Sequence, residues 1–361
     1  MPFFNFHFDF DIYIYMLNQI LLNKTNLLHN LHYLENYLQG KKICVMVKAN
    51  AYGHGMAEVA QCLQKEKVSY GVSNQDEALA LRKLTDKQII VFGACENYHE
   101  LMQNNIDFAV FSFEMVKKIC KIAKAYKLKP QMHLCLNSGM NRYGINQKNE
   151  FFKIVNFLAK QKLQLSGFYT HFSSLTTDEK YSERQKRMFY EFCYALPKEW
   201  QTITHVGGGK TVFKDIDAKM FRTGIEIYGY GDQNLRPVMS VKSQIVDTVR
   251  VKAGEHVGYL CGFTAKTDML VGAIPLGYAD GLPRKLSNKL TVFCKDKPLQ
   301  NVGNICMDCF MVDLAKSKAK VGDEVLIMKN ASSLASTLGT TEYEVLTNFG
   351  HFRGIRRIVG E

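Results

Sequence analysis

The sequence predicts an α/β fold, a TIM (β/α)8 barrel followed by a smaller, mainly β C-terminal domain. Eight short apolar segments between residues 43 and 228 are bounded by turn residues, and most gaps between them have helical periodicity. Eight strands with helical crossovers over roughly 200 residues are typical of a TIM barrel. After Tyr230 the helical periodicity gives way to β-rich segments with glycine turns. On this pattern alone, a doubly wound open sheet is the alternative fold.

Leucines at helical spacing between Leu27 and Leu38 predict a first helix. The predicted barrel strands are Ile43–Val47, Val68–Ser73, Ile89–Phe92, Phe108–Phe111, Gln131–Leu136, Leu165–Thr170, Thr202–Val206 and Arg222–Tyr228. Helices predicted between them include Asp76–Leu84, Glu114–Tyr126 and Glu150–Lys160. The strands predicted for the second domain are Val238–Val251, Leu270–Leu276, Leu290–Phe293, Asn304–Leu314 and Glu324–Met328. We place an N-terminal extension at residues 1–15, the barrel at 16–232 and the β domain at 233–361. The extension either precedes a start at Met16 or adds an edge strand.

The composition is that of a globular protein, with 47% hydrophobic and 22% charged residues in 361. The net charge is +12, but the basic residues are scattered and are not interleaved with aromatic residues, so a nucleic-acid partner is not expected. There is no run of 18 apolar residues and no positively charged signal region, so we expect neither a membrane span nor secretion.

Ten cysteines at irregular spacings predict reduced thiols and a cytoplasmic location. Cys306 and Cys309 form a C-x-x-C motif, which usually opens a helix when it is a redox pair. Here the motif lies in alternating sequence that is typical of a strand, so the redox interpretation is the less favoured one. We expect no metal site.

Lys48 is the first candidate for chemistry, in the segment VKANAYGHG (Val47 to Gly55). It ends an apolar strand, and barrel active sites lie at the C-terminal ends of strands. Partial desolvation there lowers a lysine pKa and frees the amine for Schiff-base formation. The alternative is a lysine that extends from the rim of the barrel into solvent. The adjoining loop, which contains Tyr52 and two glycines, disfavours this alternative.

A glycine-rich loop and an arginine in a strand are candidates for binding an anion. THVGGGKT (Thr204 to Thr211) fails the Walker A pattern, because Thr204 stands where that motif needs glycine. Three glycines after the seventh predicted strand can still offer backbone N–H groups to a phosphate; a plain tight turn is the alternative. Arg222, two residues before Gly224, needs a partner in a buried strand. A ring nitrogen, a phosphate or the carboxylate of Glu226 would serve.

The remaining candidates are less specific. Arg142, in the loop after the fifth predicted strand, either clamps a carboxylate or lies exposed on the surface. Tyr259, Tyr278 and Met307 occur among glycine turns of the β domain, where nothing in the spacing itself indicates catalysis.

Taken together, VKANAYGHG, IPLGYADG and ICMD, with GVSNQDEALALR and YTHFSS, resemble the alanine racemase family in order and spacing. The resemblance extends from about Met16 to the last residues. It implies a fold-type-III enzyme that uses pyridoxal 5'-phosphate to interconvert L-alanine and D-alanine. It also implies a cytoplasmic homodimer that supplies D-alanine for peptidoglycan.

The resemblance assigns catalysis to Lys48, which carries the cofactor, and to Tyr259, which acts on the opposite face of the substrate from the second subunit. Two groups on opposite faces remove and return a proton more directly than one. The cofactor is then the electron sink. The residues implied to bind the cofactor are Lys48, Tyr52, His171, Gly209, Arg222, Gly224 and Ile225. Those implied to bind or admit the substrate are Arg142, Met307 and Tyr278.

Four positions depart from the family pattern. Cys135 and Asn137 replace a lysine, often carbamylated, and an aspartate, so the usual anionic partner of Arg142 is missing; chloride is one replacement. Gly209 stands in place of a phosphate-binding serine and Phe352 in place of a tyrosine, which predicts looser cofactor binding.

Three other functions stay open at this point: a racemase of serine or another small amino acid, a decarboxylase of the same fold type, and a non-catalytic single barrel. Arg222 argues against the decarboxylase, which usually carries glutamate near the pyridine nitrogen. Tyr259 and the β region argue against the single barrel.

Overall fold

Strand pairing closes eight parallel strands into a barrel, and the other strands form three separate sheets. The structure, a computed structural model, describes residues 17–173, 178–209, 216–315 and 317–360. The predicted N-terminal extension therefore lies outside the described residues. The described chain divides into a barrel unit, residues 28–49 and 59–235, and a β unit, residues 17–27, 50–58 and 236–360.

In chain order the strands are β1 Gln19–Asn23, β2 Lys42–Met46, β3 Val68–Val72, β4 Ile89–Val91, β5 Asp107–Val110, β6 Met132–Cys135, β7 Gly167–His171, β8 Ile203–Gly207, β9 Met220–Thr223, β10 Met239–Gln244, β11 Asp247–Val251, β12 His256–Val257, β13 Phe263–Thr264, β14 Met269–Ile274, β15 Thr291–Cys294, β16 Lys297–Gln300, β17 Phe310–Asp313, β18 Glu324–Met328 and β19 Ile355–Val359. The α-helices are α1 Lys24–Leu38, α2 Met56–Cys62, α3 Gln75–Arg82, α4 Tyr98–Gln103, α5 Phe113–Tyr126, α6 Lys148–Lys160, α7 Glu179–Tyr194, α8 Ala331–Leu338 and α9 Glu342–Asn348. Single 3₁₀ turns lie at Tyr259–Cys261, Tyr278–Asp280, Arg284–Leu286 and Phe349–His351.

The barrel consists of β2 to β9, each parallel to its neighbours, and β9 returns to pair with β2. This closure confirms the TIM barrel and excludes the open doubly wound sheet. The strands are short and nearly all buried, as parallel strands covered on both faces must be. The crossover helices are amphipathic: in α5, Val116, Ile119 and Ala123 face the barrel, and the Ser112 hydroxyl caps the first turn.

The eighth barrel strand differs from its prediction. It runs from Met220 to Thr223, whereas the apolar run up to Tyr228 predicted a strand starting at Arg222. The chain after Thr223 turns instead: the Tyr228 N–H donates to the Ile225 carbonyl, and the Gly229 N–H to the Glu226 carbonyl. The apolar side chains are buried in a folded turn, which short apolar periodicity cannot distinguish from a strand. Gly224 and Ile225 therefore lie just after the strand.

The β unit is built on a six-stranded sheet in the order β16-β15-β18-β10-β1-β19, with a three-stranded sheet β11-β14-β17 and the ribbon β12-β13. A separate, mainly β C-terminal domain is thus confirmed. Apart from the edge strand considered for residues 1–15, the sequence analysis predicted no strand before residue 43, yet β1 pairs antiparallel with β10 and parallel with β19. The helices α8 and α9 were not predicted either. The boundary between residues 232 and 233 stays a prediction.

The predicted strand Val238–Val251 is two strands, β10 and β11. Within the predicted strand Asn304–Leu314, only Phe310–Asp313 forms a strand, β17, which pairs with β14. No helix in the described part of the chain is long and apolar enough to cross a membrane.

Candidate active site

Lys48 begins a left-handed helical turn at the end of the first barrel strand. The four residues that follow it, Ala49 to Tyr52, have φ angles between +51° and +54°, and none of them is glycine. Left-handed backbone costs roughly 1–2 kcal/mol per non-glycine residue. Such strain persists where surrounding contacts fix the backbone, and it concentrates at functional sites.

Glu77 ties the start of this turn to the neighbouring strand. Its Oε1 accepts the Ala49 N–H at 2.7 Å, and its Oε2 accepts the N–H and the hydroxyl of Ser73, both at 2.8 Å. Asn74 caps α3 and thereby orients Glu77. One carboxylate therefore fixes the chain after β2 and the chain after β3.

The environment of Lys48 lowers its pKa. Partial burial is the largest cause, and the positive charges of Arg142 and Arg222 act in the same direction, while Glu77 opposes them. A lysine with a lowered pKa presents more neutral amine at neutral pH, which is the form that attacks an aldehyde. This outcome agrees with the desolvation expected from the sequence.

Arg222 ends a series of hydrogen-bonded, buried polar side chains that crosses the barrel interior. We call this series the relay; its members are Arg222, His205, His133 and Asp107. Its Nη1 lies 2.7 Å from His205 Nδ1, His205 Nε2 lies 2.8 Å from His133 Nδ1, and His133 Nε2 lies 2.9 Å from Asp107 Oδ2. All four side chains are buried. Gln88 donates a further hydrogen bond to Asp107 at 2.7 Å.

The protons in this relay have one consistent arrangement. An arginine only donates, so His205 accepts at Nδ1 and carries its proton on Nε2. Burial, followed by the charge of Arg222, lowers the His205 pKa well below its ordinary value, which keeps the ring neutral. His205 then donates to His133, and His133 donates to Asp107. A carboxylate at the end of the chain thus balances the buried guanidinium.

The guanidinium of Arg222 is also held between two rings. Its Cζ lies 4.8 Å from the Tyr169 ring centroid and 5.0 Å from that of Phe92, within cation–π range. Nη2 donates to the Thr170 carbonyl at 2.8 Å. Nε has no hydrogen-bond partner among the residues that the structure describes. The suggested ion pair between Arg222 and Glu226 is wrong, because each has other partners.

His171 lies next to this arginine at the end of β7. Its pKa is lowered to about 3, so the ring is neutral at neutral pH. Burial is the largest cause, and the positive charges of Arg222, Arg142 and Lys48 act in the same direction. Gly207 makes room for both side chains. A Cβ at Gly207 would lie 2.9 Å from Arg222 Nη2 and 3.0 Å from His171 Nδ1.

Two glycine-containing turns follow the seventh and eighth barrel strands, where barrels often hold phosphate. Gly209, after β8, has a φ of +98° that favours glycine. Gly224 follows β9, and its N–H donates to Glu226 Oε2 at 3.0 Å. Thr223 Oγ1 donates to the same oxygen at 3.2 Å, and a Cβ on Gly209 would lie 3.6 Å from Glu226 Oε1. The Glu226 carboxylate therefore reaches both turns.

Arg142 lies exposed in the loop after β6, and no carboxylate forms an ion pair with it in the described part of the chain. Asn137, at the usual aspartate position, organises this loop: its Oδ1 accepts the N–H groups of Gly139 and Asn141 at 3.2 and 2.9 Å. Burial raises the pKa of the Cys135 thiol, whose Sγ lies 3.5 Å from the Tyr143 carbonyl. Cys135 is thus not an anionic substitute.

In the β unit, Tyr278 and Met307 lie on adjacent turns, both partly exposed. The Tyr278 N–H donates to the Cys306 carbonyl at 3.1 Å, and the Ala279 N–H to the Met307 carbonyl at 3.0 Å.

Arg353 fixes both turns. It binds Asp280 with two hydrogen bonds of 2.8 and 3.0 Å and Asp308 with one of 2.8 Å. Asp280 also accepts the Gly277 N–H at 2.9 Å. A planar guanidinium suits this bidentate arrangement.

Tyr259 protrudes from the β unit. Its side chain is 71% exposed, and the next residue, Leu260, is 85% exposed. Asn304 Nδ2 holds the Tyr259 carbonyl at 2.8 Å, and Leu260 and Cys261 have left-handed backbone. The turn is therefore fixed while its aromatic tip faces outward.

The other two aromatic positions of interest in the β unit are buried. The Tyr52 ring lies 5.9 Å from that of Tyr343. Phe352, at the position where a tyrosine is common, packs on Phe349 and beneath the guanidinium of Arg356. It serves as an apolar packing residue.

The C-x-x-C segment forms a turn and not a helix. The Cys306 N–H donates to the Cys309 carbonyl at 2.8 Å. Burial, followed by the neighbouring Cys306, raises the Cys309 pKa to about 11. A redox pair needs a lowered thiol pKa, so the geometry argues against that role. In the described part of the chain no group of His, Cys, Asp and Glu side chains could hold a metal ion.

Two protein-family models match this chain. The model described as alanine racemase, N-terminal domain, matches residues 22–232, and the one described as alanine racemase, C-terminal domain, matches residues 238–358. The chain belongs to the alanine racemase family. As a member of that family it is a pyridoxal-phosphate-dependent isomerase.

Relatives named alanine racemase cover nearly the whole chain. That of Thermodesulfovibrio yellowstonii is 31% identical over 92% of this chain and 95% of its own length; that of Helicobacter pylori is 30% identical over 90% and 95%. Among solved structures, alanine racemase of Clostridium difficile 630 superposes with a TM-score of 0.85 at 32% identity, covering 92% of this chain and 93% of that one. The Enterococcus faecalis enzyme gives 0.87 at 25% identity, over 95% and 98%.

The barrel residues fit the cofactor of this family in two respects. A lysine of lowered pKa suits an aldehyde, and a buried arginine with Nε available suits a ring nitrogen that accepts a hydrogen bond. The phosphate end fits less simply, because the Gly224 N–H already binds Glu226.

The structure brings Lys48, His171, Arg222, Gly209 and Gly224 to the C-terminal ends of the barrel strands. The sequence analysis missed the residues that position the lysine and arginine of the barrel, which are Glu77, Asp107, His133 and His205. It also missed Asp280 and Arg353, which fix the Tyr278 and Met307 turns of the β unit. A signal for the relay existed, since Asp107, His133 and His205 are ionisable residues at the starts or centres of apolar strand segments.

Proposed function

We propose that this chain interconverts L-alanine and D-alanine by a two-base mechanism, with Lys48 on one face of the substrate Cα and Tyr259 of a second subunit on the other. The observation that carries the proposal is the position of Lys48, partly buried directly after the first barrel strand, where burial and the charges of Arg142 and Arg222 lower its pKa. When bound, pyridoxal phosphate supplies an electron sink that weakens the Cα–H bond.

In this proposal the barrel residues hold the cofactor. Lys48 Nζ attaches it. Arg222 Nε donates to the ring nitrogen, and His171 supports the guanidinium. Because an arginine does not give up its proton, Arg222 would leave the ring nitrogen unprotonated, which would limit how much of the carbanion accumulates. The phosphate is held by backbone N–H groups of Gly209, Gly224 and Ile225 and by the hydroxyl of Tyr52.

Other residues act on the substrate. Lys48 Nζ and Tyr259 Oη each take or return the Cα proton on their own face, which one group bound to the cofactor would do poorly. Arg142 stabilises the ionised phenol and orients the substrate carboxylate. The Met307 turn binds that carboxylate, and Tyr278 lines the entrance.

The homodimer is part of the same proposal. An exposed tyrosine on a rigid turn, followed by a leucine that is 85% exposed, suits a tip that enters a second copy of the chain. We also propose a cytoplasmic location, where D-alanine serves peptidoglycan synthesis. All ten cysteines are free thiols, which suits a reducing compartment.

The test is D-alanine formation from L-alanine by purified protein, with and without added pyridoxal phosphate. We expect turnover that depends on the cofactor. Lys48→Ala should abolish covalent attachment, detected by borohydride reduction and mass spectrometry, and Tyr259→Phe should lower kcat far more than it changes cofactor binding. Attachment that survives in Lys48→Ala would overturn the assignment. A panel of L-amino acids distinguishes alanine from serine as the preferred substrate.

A further inference from the structure

We propose that Glu226 competes with the cofactor phosphate for its binding groups, so that this chain binds the phosphorylated cofactor only after the Glu226 carboxylate has withdrawn. The inference rests on the proposed placement of the phosphate at the turns after the seventh and eighth barrel strands. It concerns a side chain of this sequence and makes Glu226 a determinant of cofactor affinity.

The first step is the position of the carboxylate. Glu226 is 4% exposed and lies in the turn after β9. Its Oε2 accepts the Gly224 N–H at 3.0 Å and the Thr223 hydroxyl at 3.2 Å. Its Oε1 lies 3.6 Å from where a Cβ would project from Gly209. One carboxylate thus spans the two turns that would hold the phosphate.

The second step is the number of donors. A backbone amide has one hydrogen, and at Gly224 a carboxylate oxygen already accepts it. A phosphate dianion at the same point would also face a like charge at close range, which is unfavourable for both groups. The phosphate and the carboxylate therefore exclude each other at this amide.

The third step is magnitude. A hydrogen bond to a charged group contributes roughly a ten- to hundredfold factor in an equilibrium constant. Release of the Gly224 N–H alone should therefore weaken binding of the phosphorylated cofactor by about tenfold or more. Pyridoxal, which lacks the phosphate, makes no demand on this amide and should not be affected.

The experiment compares wild type with Glu226→Gln as the complete apoprotein. Pyridoxal phosphate and pyridoxal are each titrated, with the visible absorption of the lysine-bound form as the readout, and inorganic phosphate is titrated by calorimetry. We expect the variant to bind pyridoxal phosphate at least tenfold more tightly, to bind inorganic phosphate more tightly, and to bind pyridoxal as wild type does. Glu183→Gln, which removes one exposed negative charge from α7, is the matched control and should change none of these values.

Equal affinity of wild type and Glu226→Gln for pyridoxal phosphate would overturn the inference. A parallel change for pyridoxal would do the same, because it would mean that Glu226 only shapes the pocket. If neither cofactor form attaches in either protein, the proposed role of Lys48 fails, and the phosphate titration alone decides: tighter binding by the variant supports the inference, and equal binding refutes it. Glu226→Ala carries the same expectations should the glutamine variant not fold.

Discussion

Replacing His205 by leucine tests whether the buried relay balances the charge of Arg222. The swap nearly conserves volume, which by itself costs less than about 1.5 kcal/mol. It leaves Arg222 Nη1 without its acceptor and His133 Nδ1 without its donor. An orphaned hydrogen bond to a charged group costs roughly 1.5–3 kcal/mol, and an orphaned neutral buried group roughly 1–3 kcal/mol. We therefore expect a total loss of about 2.5–6 kcal/mol from these two groups.

The measurement is the thermal midpoint of the apoprotein. A loss of this size lowers Tm by roughly 5–24 °C, at about 2–4 °C per kcal/mol for a domain of about 150–250 residues. The charge argument is isolated by repeating the change in an Arg222→Leu background, where the cost of His205→Leu should fall by about 1.5–3 kcal/mol. His256→Leu, on the exposed ribbon β12, is the control. A drop of less than 2 °C on the native background, or an equal drop on both, would refute the reasoning.

Three further predictions concern other parts of the molecule. His54 is fully buried, and burial is the chief reason that its pKa is lowered to about 3. Between pH 3 and about 6.5 the unfolded chain therefore binds more protons at this residue than the folded chain does. The free energy of unfolding should fall as pH falls through this range, by up to about 1.4 kcal/mol per pH unit. His54→Asn should flatten this part of the curve of Tm against pH, and His256→Asn should not. Glu77→Gln weakens its hydrogen bonds to Ala49 and Ser73 and should lower the rate of cofactor attachment by about tenfold or more, measured by stopped-flow absorbance; a rate like that of wild type would contradict the anchoring role. Arg353→Lys loses the bidentate contact and should raise KM for alanine more than it lowers kcat in steady-state assays; an effect on kcat alone would mean that these turns do not bind substrate.

The fold could be predicted because each barrel strand is an apolar run with its own turn signals, and because order along the chain is order around the barrel. The eighth strand was misplaced, since the apolar residues after Thr223 are buried by a turn as well as they would be by a strand. β1 was missed for a different reason. Five residues next to a helix give little local signal, and both partners of β1 lie more than 200 residues away.

The residues of the candidate site also divide into those that the sequence predicted and those that it did not. Lys48, Arg222 and the two glycine turns were found because their residue types are unusual at strand ends. The groups that position them were not found, since a buried histidine in a strand looks like any core residue until its neighbours across the barrel are known. Glu226 was considered as a partner of Arg222, and the structure pairs it with Gly224 and Thr223, a local contact that depends on where the strand ends.

The pairing of β1 delays completion of its sheet until the end of synthesis. Gln19 lies opposite Ile355 in the parallel pairing of β1 with β19, so the earliest strand of the described chain is completed by the last. At a ribosomal rate of about 5–20 residues per second, the edge of β1 waits roughly 20–70 s for that partner. During that interval an apolar strand has an unpaired edge, which is a template for association with other chains. Nascent chains of this protein should therefore depend on chaperones at a late stage, after all eight barrel strands have been synthesised.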